Sequence, residues 1–224
     1  MSSVSSATLT QRLAAEALGT ALLLATVVGS GIMGERLAGG NAAIALLANA
    51  IATGCALYVL ITIFGPVSGA HFNPLVTLAE RAQGNIAWGD AVLFIVTQAV
   101  SATIGVLIAH TMFELPLVSF SQHARTGGAQ WFSEFVATFG LLTVILQGTK
   151  ARPAAVPALV AAYITAAYWF TASTSFANPA VTFARALTDT FSGIRISDVP
   201  MFIVAQLVGA VSAYGLFRWM NKYK

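Results

Sequence analysis

FANPAVTFARA, residues 176–186, shares the phrase Asn-Pro-x-Val-Thr-x-Ala with the earlier stretch HFNPLVTLAERA, residues 71–82. Asparagine is a strong N-cap residue, and proline is favoured at the first helical position, where its missing N–H costs nothing. The residue before a proline is biased towards extended backbone, so each stretch predicts a chain that arrives extended and begins a helix. A proline kink in one long helix is the alternative for a single copy, and the duplication favours two helix starts.

The composition is that of a membrane protein. Of 224 residues, 57% are hydrophobic and 8% are charged, against about 25% charged in soluble domains. The apolar runs are continuous rather than alternating, which predicts helical spans and not a β-barrel. A net charge of +3 fits basic cytoplasmic loops that face anionic lipid, and we expect no nucleic-acid partner. The single cysteine, Cys55, excludes an intrachain disulfide and a cysteine metal cluster.

Six spans are predicted, because a bilayer-crossing helix needs about 20 mostly apolar residues. They cover residues 11–33, 41–64, 87–111, 130–149, 153–173 and 199–220. Two uncharged runs are longer than one crossing needs and too short for two: 37–79 has 43 residues and 153–184 has 32. Each surplus contains an Asn-Pro stretch. We therefore expect two re-entrant segments that enter the membrane partway and leave on the side they entered, since irregular backbone at this depth is tolerated where it lines a cavity.

An internal repeat runs through the chain. Three polar pairs recur at similar separations: Asn73 with Asn178, Glu16 with Glu134, and Gln98 with Gln206. The repeating unit is two spans, a half-helix and a third span, and an odd number of full spans forces the second copy into the opposite orientation. We expect one channel domain over residues 1–224, with a first repeat of about 8–112 and a second of about 128–222. Inverted repeats of this kind place a permeation site near the membrane midplane.

The distribution of basic residues predicts that the N- and C-termini are cytoplasmic. With that orientation the inner segments carry Arg12, Arg81, Lys150, Arg152, Arg218, Lys222 and Lys224. The outer segments carry Arg36, Arg125, Arg185 and Arg195. The excess of positive charge on one side is the usual mark of the cytoplasmic face.

SGAHFNPLVT at 68–77 and SFANPAVT at 175–182, together with Glu16 and Glu134, resemble the aquaporin, or major intrinsic protein, family. The resemblance covers almost the whole chain. It implies an all-α membrane protein with six transmembrane helices and two re-entrant half-helices in an inverted repeat. It also implies a homotetramer with one pore in each protomer, located in a bacterial plasma membrane. No enzymatic activity, cofactor or metal is expected.

The paired motifs explain how such a pore would reject ions. They consist of Asn73, Pro74 and Leu75 in the first half, and Asn178, Pro179 and Ala180 in the second, with Leu75 replacing the family's usual alanine. Two half-helices that meet start to start present about half a positive charge each, which disfavours cations but not neutral molecules. If each asparagine oxygen caps its own helix, the amide NH₂ groups are left to donate hydrogen bonds into the pore.

The resemblance places the narrowest ring of the pore at Thr53, Ala166, Ser175 and Val181. Val181 stands where most members of the family have an arginine. The ring has neither the water-selective nor the glycerol-selective pattern, so we predict a wider opening. It would admit glycerol-like polyols, urea-like solutes, water and trihydroxy metalloids such as arsenite. Bacterial members with this valine resemble channels associated with arsenic resistance, and downhill exit of arsenite is the sharpest hypothesis.

Arg185 has two interpretations. It lies four residues beyond Val181, so on a helix it occupies nearly the same face one turn further out and could project into the outer vestibule, replacing the missing arginine. The alternative is a surface ion pair between Arg185 and Asp189, at a spacing of four residues, which would contribute little.

The remaining polar residues are predicted to support the pore. Carboxylates within a membrane need partners. In the family the glutamates that match Glu16 and Glu134 accept hydrogen bonds from the re-entrant backbone, and a proton relay is the minor alternative. His71 is expected to line the cytoplasmic half of the pore or to buttress its loop, with a pH gate as a minority interpretation. Gln98 and Gln206 are expected to hydrogen-bond between helices.

Other functions stay open at this stage. A water-selective aquaporin is the first alternative. An ion-coupled secondary transporter also uses inverted half-helices, but it would need ionisable groups in its pathway beyond the two glutamates. The sequence has no Ser-His or His-Glu-x-x-His arrangement on one span that would indicate an intramembrane enzyme. A structural junction protein is disfavoured because both pore motifs are intact.

Overall fold

Six helices are long and apolar enough to cross a membrane in the computed structural model, which describes residues 7–222. They contain α1 (Leu9–Leu37), α2 (Ala42–Ser68), α4 (Trp88–Met112), α5 (Gly128–Ala151), α6 (Val156–Phe170) and α8 (Val199–Met220). The fifth and sixth spans also include the 3-10 turns before α6 and α8, so they extend over Pro153–Phe170 and Ile196–Met220. Two short helices stand between them: α3 (Pro74–Ala82) and α7 (Pro179–Ala184). The predicted fold class and the number of spans are confirmed. The remaining helical turns are 3-10 segments at Pro153–Ala155, Arg185–Leu187 and Ile196–Asp198.

Local capping explains where the first two spans begin and end. Thr8 and Gln11 form a reciprocal capping box at the start of α1, in which each side chain bonds to the other residue's backbone. The Asn41 side chain accepts hydrogen bonds from the first N–H groups of α2. Gly69 ends α2 with a φ of 91°, a left-handed conformation that glycine adopts without steric cost. The chain can therefore leave α2 abruptly and enter the first re-entrant segment.

Both Asn-Pro stretches begin helices, so the proline-kink alternative is wrong. Asn73 and Asn178 have extended backbone, with φ of −153° and −160°, and each side chain caps the helix that follows. Pro74 and Pro179 stand in the first turns of α3 and α7, where no N–H is required. The half-helices have nine and six residues, far too few to cross a bilayer.

The long helices pack in two groups. α1 lies against α2 and α4, α5 lies against α6 and α8, and α2 contacts α6 across the centre. Small residues let the backbones approach, as expected for helices in lipid. At Gly209 of α8, a Cβ atom would lie 2.6 Å from the carbonyl oxygen of Phe135 in α5. The absence of a side chain at Gly209 thus sets the distance between these two spans.

Gly209→Ala is expected to lower the melting temperature in detergent by roughly 5 °C, because the added methyl group forces α8 away from α5. Gly215→Ala is the matched control on the same helix, since a Cβ atom there would meet nothing within 4 Å. That control should melt at or slightly above the parent temperature, as alanine favours helix. Equal melting of the Gly209 variant and the parent would show that α5 and α8 are further apart.

The chain between α4 and α5, residues 113–127, lies against the chain that follows α7. Backbone hydrogen bonds join Ser121 N–H to the Ala186 carbonyl at 3.0 Å and Arg195 N–H to the His123 carbonyl at 2.8 Å. The imidazole of His110 also holds this segment, with Nε2 at 2.7 Å from Thr188 Oγ1. Residues 113–127 therefore form a fixed cover beside the second half-helix.

Candidate functional site

A cavity of about 80 Å³ lies where the two re-entrant segments meet the long helices. Aliphatic side chains from α1, α2, α5 and α6 form one part of its wall, among them Leu23, Leu57, Leu141 and Ile164. The polar side chains of the wall are Thr53, His71, Asn73, Tyr168, Ser175, Asn178 and Arg185. The cavity is therefore amphipathic, and all but two of these polar residues, Thr53 and Tyr168, come from the re-entrant segments or the turn that follows α7.

The two asparagines connect the half-helices to each other. Asn73 Oδ1 accepts from the Leu75 N–H at 2.9 Å, and Asn178 Oδ1 accepts from the Ala180 N–H at 3.0 Å. Asn73 Nδ2 donates to the Ala177 carbonyl at 2.8 Å. Each oxygen therefore caps its own helix, as predicted.

The amide groups are not wholly free, which corrects one expectation. Asn178 Nδ2 donates to the Phe72 carbonyl at 2.8 Å, mirroring the bond that Asn73 makes. Each amide thus binds the carbonyl that directly precedes the other asparagine. An NH₂ group has two hydrogens, so one N–H of each asparagine is left for a molecule in the cavity.

The backbone before each half-helix is held in an unusual conformation. Ala70, Phe72, Ser175 and Ala177 have φ between 47° and 55°, the left-handed region that residues with a side chain rarely adopt. Such conformations cost about 1–3 kcal/mol each and persist where surrounding contacts enforce them.

Glu16 supplies those contacts in the first half. Its two carboxylate oxygens accept from the N–H groups of His71 at 2.9 Å and Phe72 at 2.8 Å. The Gln98 amide donates to the same carboxylate at 2.8 Å and to Thr77 Oγ1 at 3.0 Å. Ser68 Oγ donates to it as well, at 2.7 Å, so the buried carboxylate accepts four hydrogen bonds.

Glu134 repeats the arrangement in the second half. It accepts from the N–H groups of Phe176 and Ala177, both at 2.9 Å, and from Gln206 Nε2 at 2.6 Å. Gln206 also donates to Thr182 Oγ1 at 2.8 Å. The hydrogen bonds predicted for the glutamates and the glutamines are therefore present. These contacts do not require a proton relay, because each carboxylate serves as a structural acceptor.

The ring predicted to be narrowest needs one correction. Thr53, Ser175 and Val181 line the cavity, whereas Ala166 lies on the exposed face of α6. Tyr168 takes the predicted place of Ala166, and its hydroxyl lies 3.2 Å from Thr53 Oγ1. Two positions along a helix turn the side chain by about 200°, so an error of two residues reverses the face.

Ser175 lines the cavity. It is 3% exposed, and its hydroxyl has no hydrogen-bond partner within residues 7–222. Buried hydroxyls are normally hydrogen-bonded, so the Ser175 hydroxyl keeps an unused capacity to donate or accept a hydrogen bond. Together with the hydroxyls of Thr53 and Tyr168, it gives the cavity three hydroxyl groups.

Arg185 lies against the cavity and not on the surface. It is 2% exposed, its Nε donates to the Ser192 carbonyl, and its guanidinium carbon is 3.4 Å from the centre of the Phe176 ring. Asp189 instead accepts from the Gln122 N–H at 2.9 Å. The alternative of a surface Arg185–Asp189 pair is therefore wrong.

His71 lines the cavity on the side of the first motif. Its Nδ1 lies 3.0 Å from Thr77 Oγ1, and its ring is 5.3 Å from the ring of Phe94. His71 therefore both lines the cavity and braces the first re-entrant segment, and its place in the cytoplasmic half of the pore stays a prediction. The hydrogen-bonded chain from His71 through Thr77 and Gln98 ends at Glu16.

These features define a class of protein: a six-span membrane channel in which two half-helices meet at the pore through their N-terminal ends. The family model "MIP: Major intrinsic protein" matches residues 3–172 and 153–224, and the chain belongs to this family. It is accordingly an integral membrane channel and not an enzyme.

The relatives agree with that assignment. The chain is 56% identical over 212 residues to "Aquaglyceroporin AqpS" of Rhizobium meliloti (strain 1021), covering 95% of this chain and 91% of that protein. It is 30% identical over 223 residues to "Aquaporin NIP1-1" of Zea mays, covering 95% and 76%. Among solved structures, the aquaglyceroporin from Plasmodium falciparum superposes with a TM-score of 0.73 over 94% of this chain and 96% of its own. At 18% identity that likeness supports the fold alone.

Proposed function

We propose that this protein is a passive channel for small neutral solutes, namely glycerol-like polyols, trihydroxy metalloids such as arsenite, and water. The observation that carries the proposal is the amphipathic cavity, whose wall combines aliphatic side chains with asparagine amides, hydroxyls and a guanidinium. A polyol also combines apolar and polar groups, with a carbon backbone and a row of hydroxyl groups. The similarity to a protein named as an aquaglyceroporin supports this solute class over strict water selectivity.

The residues that would contact the solute follow from the cavity wall. Asn73 and Asn178 keep one N–H each, and Thr53, Tyr168 and Ser175 offer hydroxyls that can donate or accept. An uncharged trihydroxy molecule in the cavity would therefore find both hydrogen-bond donors and hydrogen-bond acceptors. Water could use the same groups, but it gains nothing from the aliphatic wall.

Arg185 would supply the positive charge that most members of the family carry on an arginine at the position of Val181. Val181 and Arg185 line the same cavity, and Arg185 begins the turn that follows α7. Only its Nε is hydrogen-bonded within residues 7–222, which leaves the terminal amino groups uncommitted. A fixed positive charge beside the cavity adds to the two half-helix dipoles in opposing cations.

The assembly and the orientation are proposed on the family resemblance and on the charge distribution. The protein would form a homotetramer in a bacterial plasma membrane, with both termini in the cytoplasm. Its single channel domain would consist of two inverted repeats, about 8–112 and 128–222. The recurrence of the glutamate, glutamine and threonine hydrogen bonds in both halves supports the repeat boundaries.

Flux measurements on vesicles that contain the purified protein test the function. We expect glycerol and arsenite to enter in proportion to their own gradients, with no change when proton and sodium gradients are collapsed. Empty vesicles are the control. Solute entry that requires an ion gradient would identify a secondary transporter, and water flux without glycerol flux would identify a water-selective channel.

A further inference from the structure

Arg125 stands in the segment 113–127 that covers the second half-helix, far along the chain from every residue predicted to form the pore. It is 8% exposed, and its backbone N–H donates to Asp198 Oδ2 at 2.8 Å. Burial lowers the pKa of its guanidinium to about 10, so the group stays protonated at neutral pH. Burying a charged group costs free energy unless the group is hydrogen-bonded, so the partners of Arg125 indicate its role.

The guanidinium of Arg125 ties two segments together. Its Nε donates to the Gly193 carbonyl at 2.8 Å, and its Nη1 donates to the Ser173 carbonyl at 3.1 Å. Its Nη2 lies 3.5 Å from the Phe191 carbonyl, at the limit of a hydrogen bond. Ser173 belongs to the segment that enters α7, whereas residues 191 and 193 belong to the turn that follows it.

The same turn holds Arg185. Arg185 Nε donates to the carbonyl of Ser192, which lies between the two carbonyls bound by Arg125. Hydrogen bonds from Gly193 N–H to the Thr190 carbonyl at 2.8 Å and from Ile194 N–H to the Arg185 carbonyl at 3.3 Å close the turn. Of three consecutive carbonyls, the first and the third therefore bind Arg125 and the second binds Arg185.

The two arginines also share one aromatic ring. The guanidinium carbon of Arg185 is 3.4 Å from the centre of the Phe176 ring, and that of Arg125 is 5.0 Å from it. A guanidinium over an aromatic face is attracted by the ring's quadrupole, more strongly where water is excluded. Phe176 in turn lies two residues before Asn178 and is fixed by Glu134.

We propose that Arg125 is a positioning residue for the pore, which fixes the 190–194 turn and the Phe176 ring and thereby holds Arg185 at the cavity. The inference rests on the proposed function, because it assigns Arg125 to the selectivity of the same pore. Arg185 has a single hydrogen bond of its own within the described chain. Without Arg125, the turn that carries the Ser192 carbonyl and the ring of Phe176 would be less firmly held. Arg185 would then move away from the cavity, and the opening beside Val181 would widen.

A double-mutant cycle tests this coupling. The variants are Arg125→Gln, Arg185→Gln and the combination, and the measurement is the permeability ratio of xylitol to glycerol in vesicles. We expect each single variant to raise this ratio about five- to tenfold, and the combination to raise it no further than Arg185→Gln alone. A ratio unchanged in Arg125→Gln, or a combined effect equal to the product of the single effects, would overturn the proposal.

Two further variants keep the result interpretable. Arg36→Gln removes an arginine at the end of α1 that donates to the Phe113 carbonyl at 3.1 Å, and it should leave the ratio at the parent value. Arg125→Lys keeps the charge but not the fork of donors, so it should fold if the glutamine variant does not. A raised ratio in Arg125→Lys supports positioning, and a parental ratio contradicts it. Failure of the parent itself to pass glycerol would instead refute the proposed function.

Discussion

Glu134→Leu is expected to abolish glycerol flux and to lower the melting temperature more than Gly209→Ala does. The substitution leaves the N–H groups of Phe176 and Ala177 and the Gln206 amide without their acceptor in a water-free interior. Each unsatisfied buried donor costs about 1–3 kcal/mol, and the strained backbone of the second re-entrant segment loses what enforces it. The half-helix should then lose its position at the cavity.

Recovery of monodisperse protein, melting temperature in detergent and glycerol flux together measure this effect. Glu134→Gln retains one acceptor oxygen and should be intermediate. Thr143→Val is the matched control on α5, because that hydroxyl bonds only to the Phe139 carbonyl of its own helix. If Glu134→Leu melts within about 2 °C of the parent, the carboxylate does not hold the segment.

Val181→Arg is expected to reduce glycerol and arsenite flux more than tenfold while water flux falls much less. The new guanidinium would enter a cavity of about 80 Å³ that already contains Arg185 one helical turn away. Like charges at that separation repel, so the two guanidinium groups cannot pack against each other. Both would therefore fill part of the opening and narrow it. Flux of the three solutes through vesicles of equal protein content provides the measurement.

Val181→Thr controls for the change of side chain without added charge or volume. It should pass glycerol and arsenite within about twofold of the parent, because its shape is nearly that of valine. If Val181→Arg and the parent pass all three solutes alike, Val181 does not lie at the constriction.

The elements that the sequence predicted best are those with a local physical cause. Helix starts at Asn73 and Asn178 follow from capping and proline chemistry within a few residues. Alignment of the two repeats then places Glu16 opposite Glu134, and this symmetry indicates that the two glutamates have the same role. That role requires partners from another segment of the chain. Those predictions combined a local rule with an internal copy of the same motif.

The errors arose where tertiary contacts outweigh local rules. The position of Ala166 follows from its spacing to Asn178, but the chain between α6 and α7 is not helical, so a residue count across it does not determine which face of α6 lines the cavity. Tyr168 lies there instead. Arg185 and Asp189 have the spacing of a helical ion pair, but the Ser192 carbonyl and the Phe176 ring take the guanidinium instead. Arg125 gave no local signal, because its side-chain partners lie 48 to 68 residues away.

The direction in which the two half-helices enter the membrane is the claim on which the pore depends. Single cysteines at Leu37, Ala82 and Ser197, introduced into a Cys55→Ser background, report which face each segment reaches when cells are treated with a membrane-impermeant maleimide. All three positions are exposed, Leu37 at 77%. We expect Leu37→Cys and Ser197→Cys to react in intact cells, and Ala82→Cys to react only after permeabilisation. Reaction of Ala82→Cys from the same side as Leu37→Cys, or of Ser197→Cys from the opposite side, would mean that a half-helix crosses the membrane completely and would contradict the opposed arrangement.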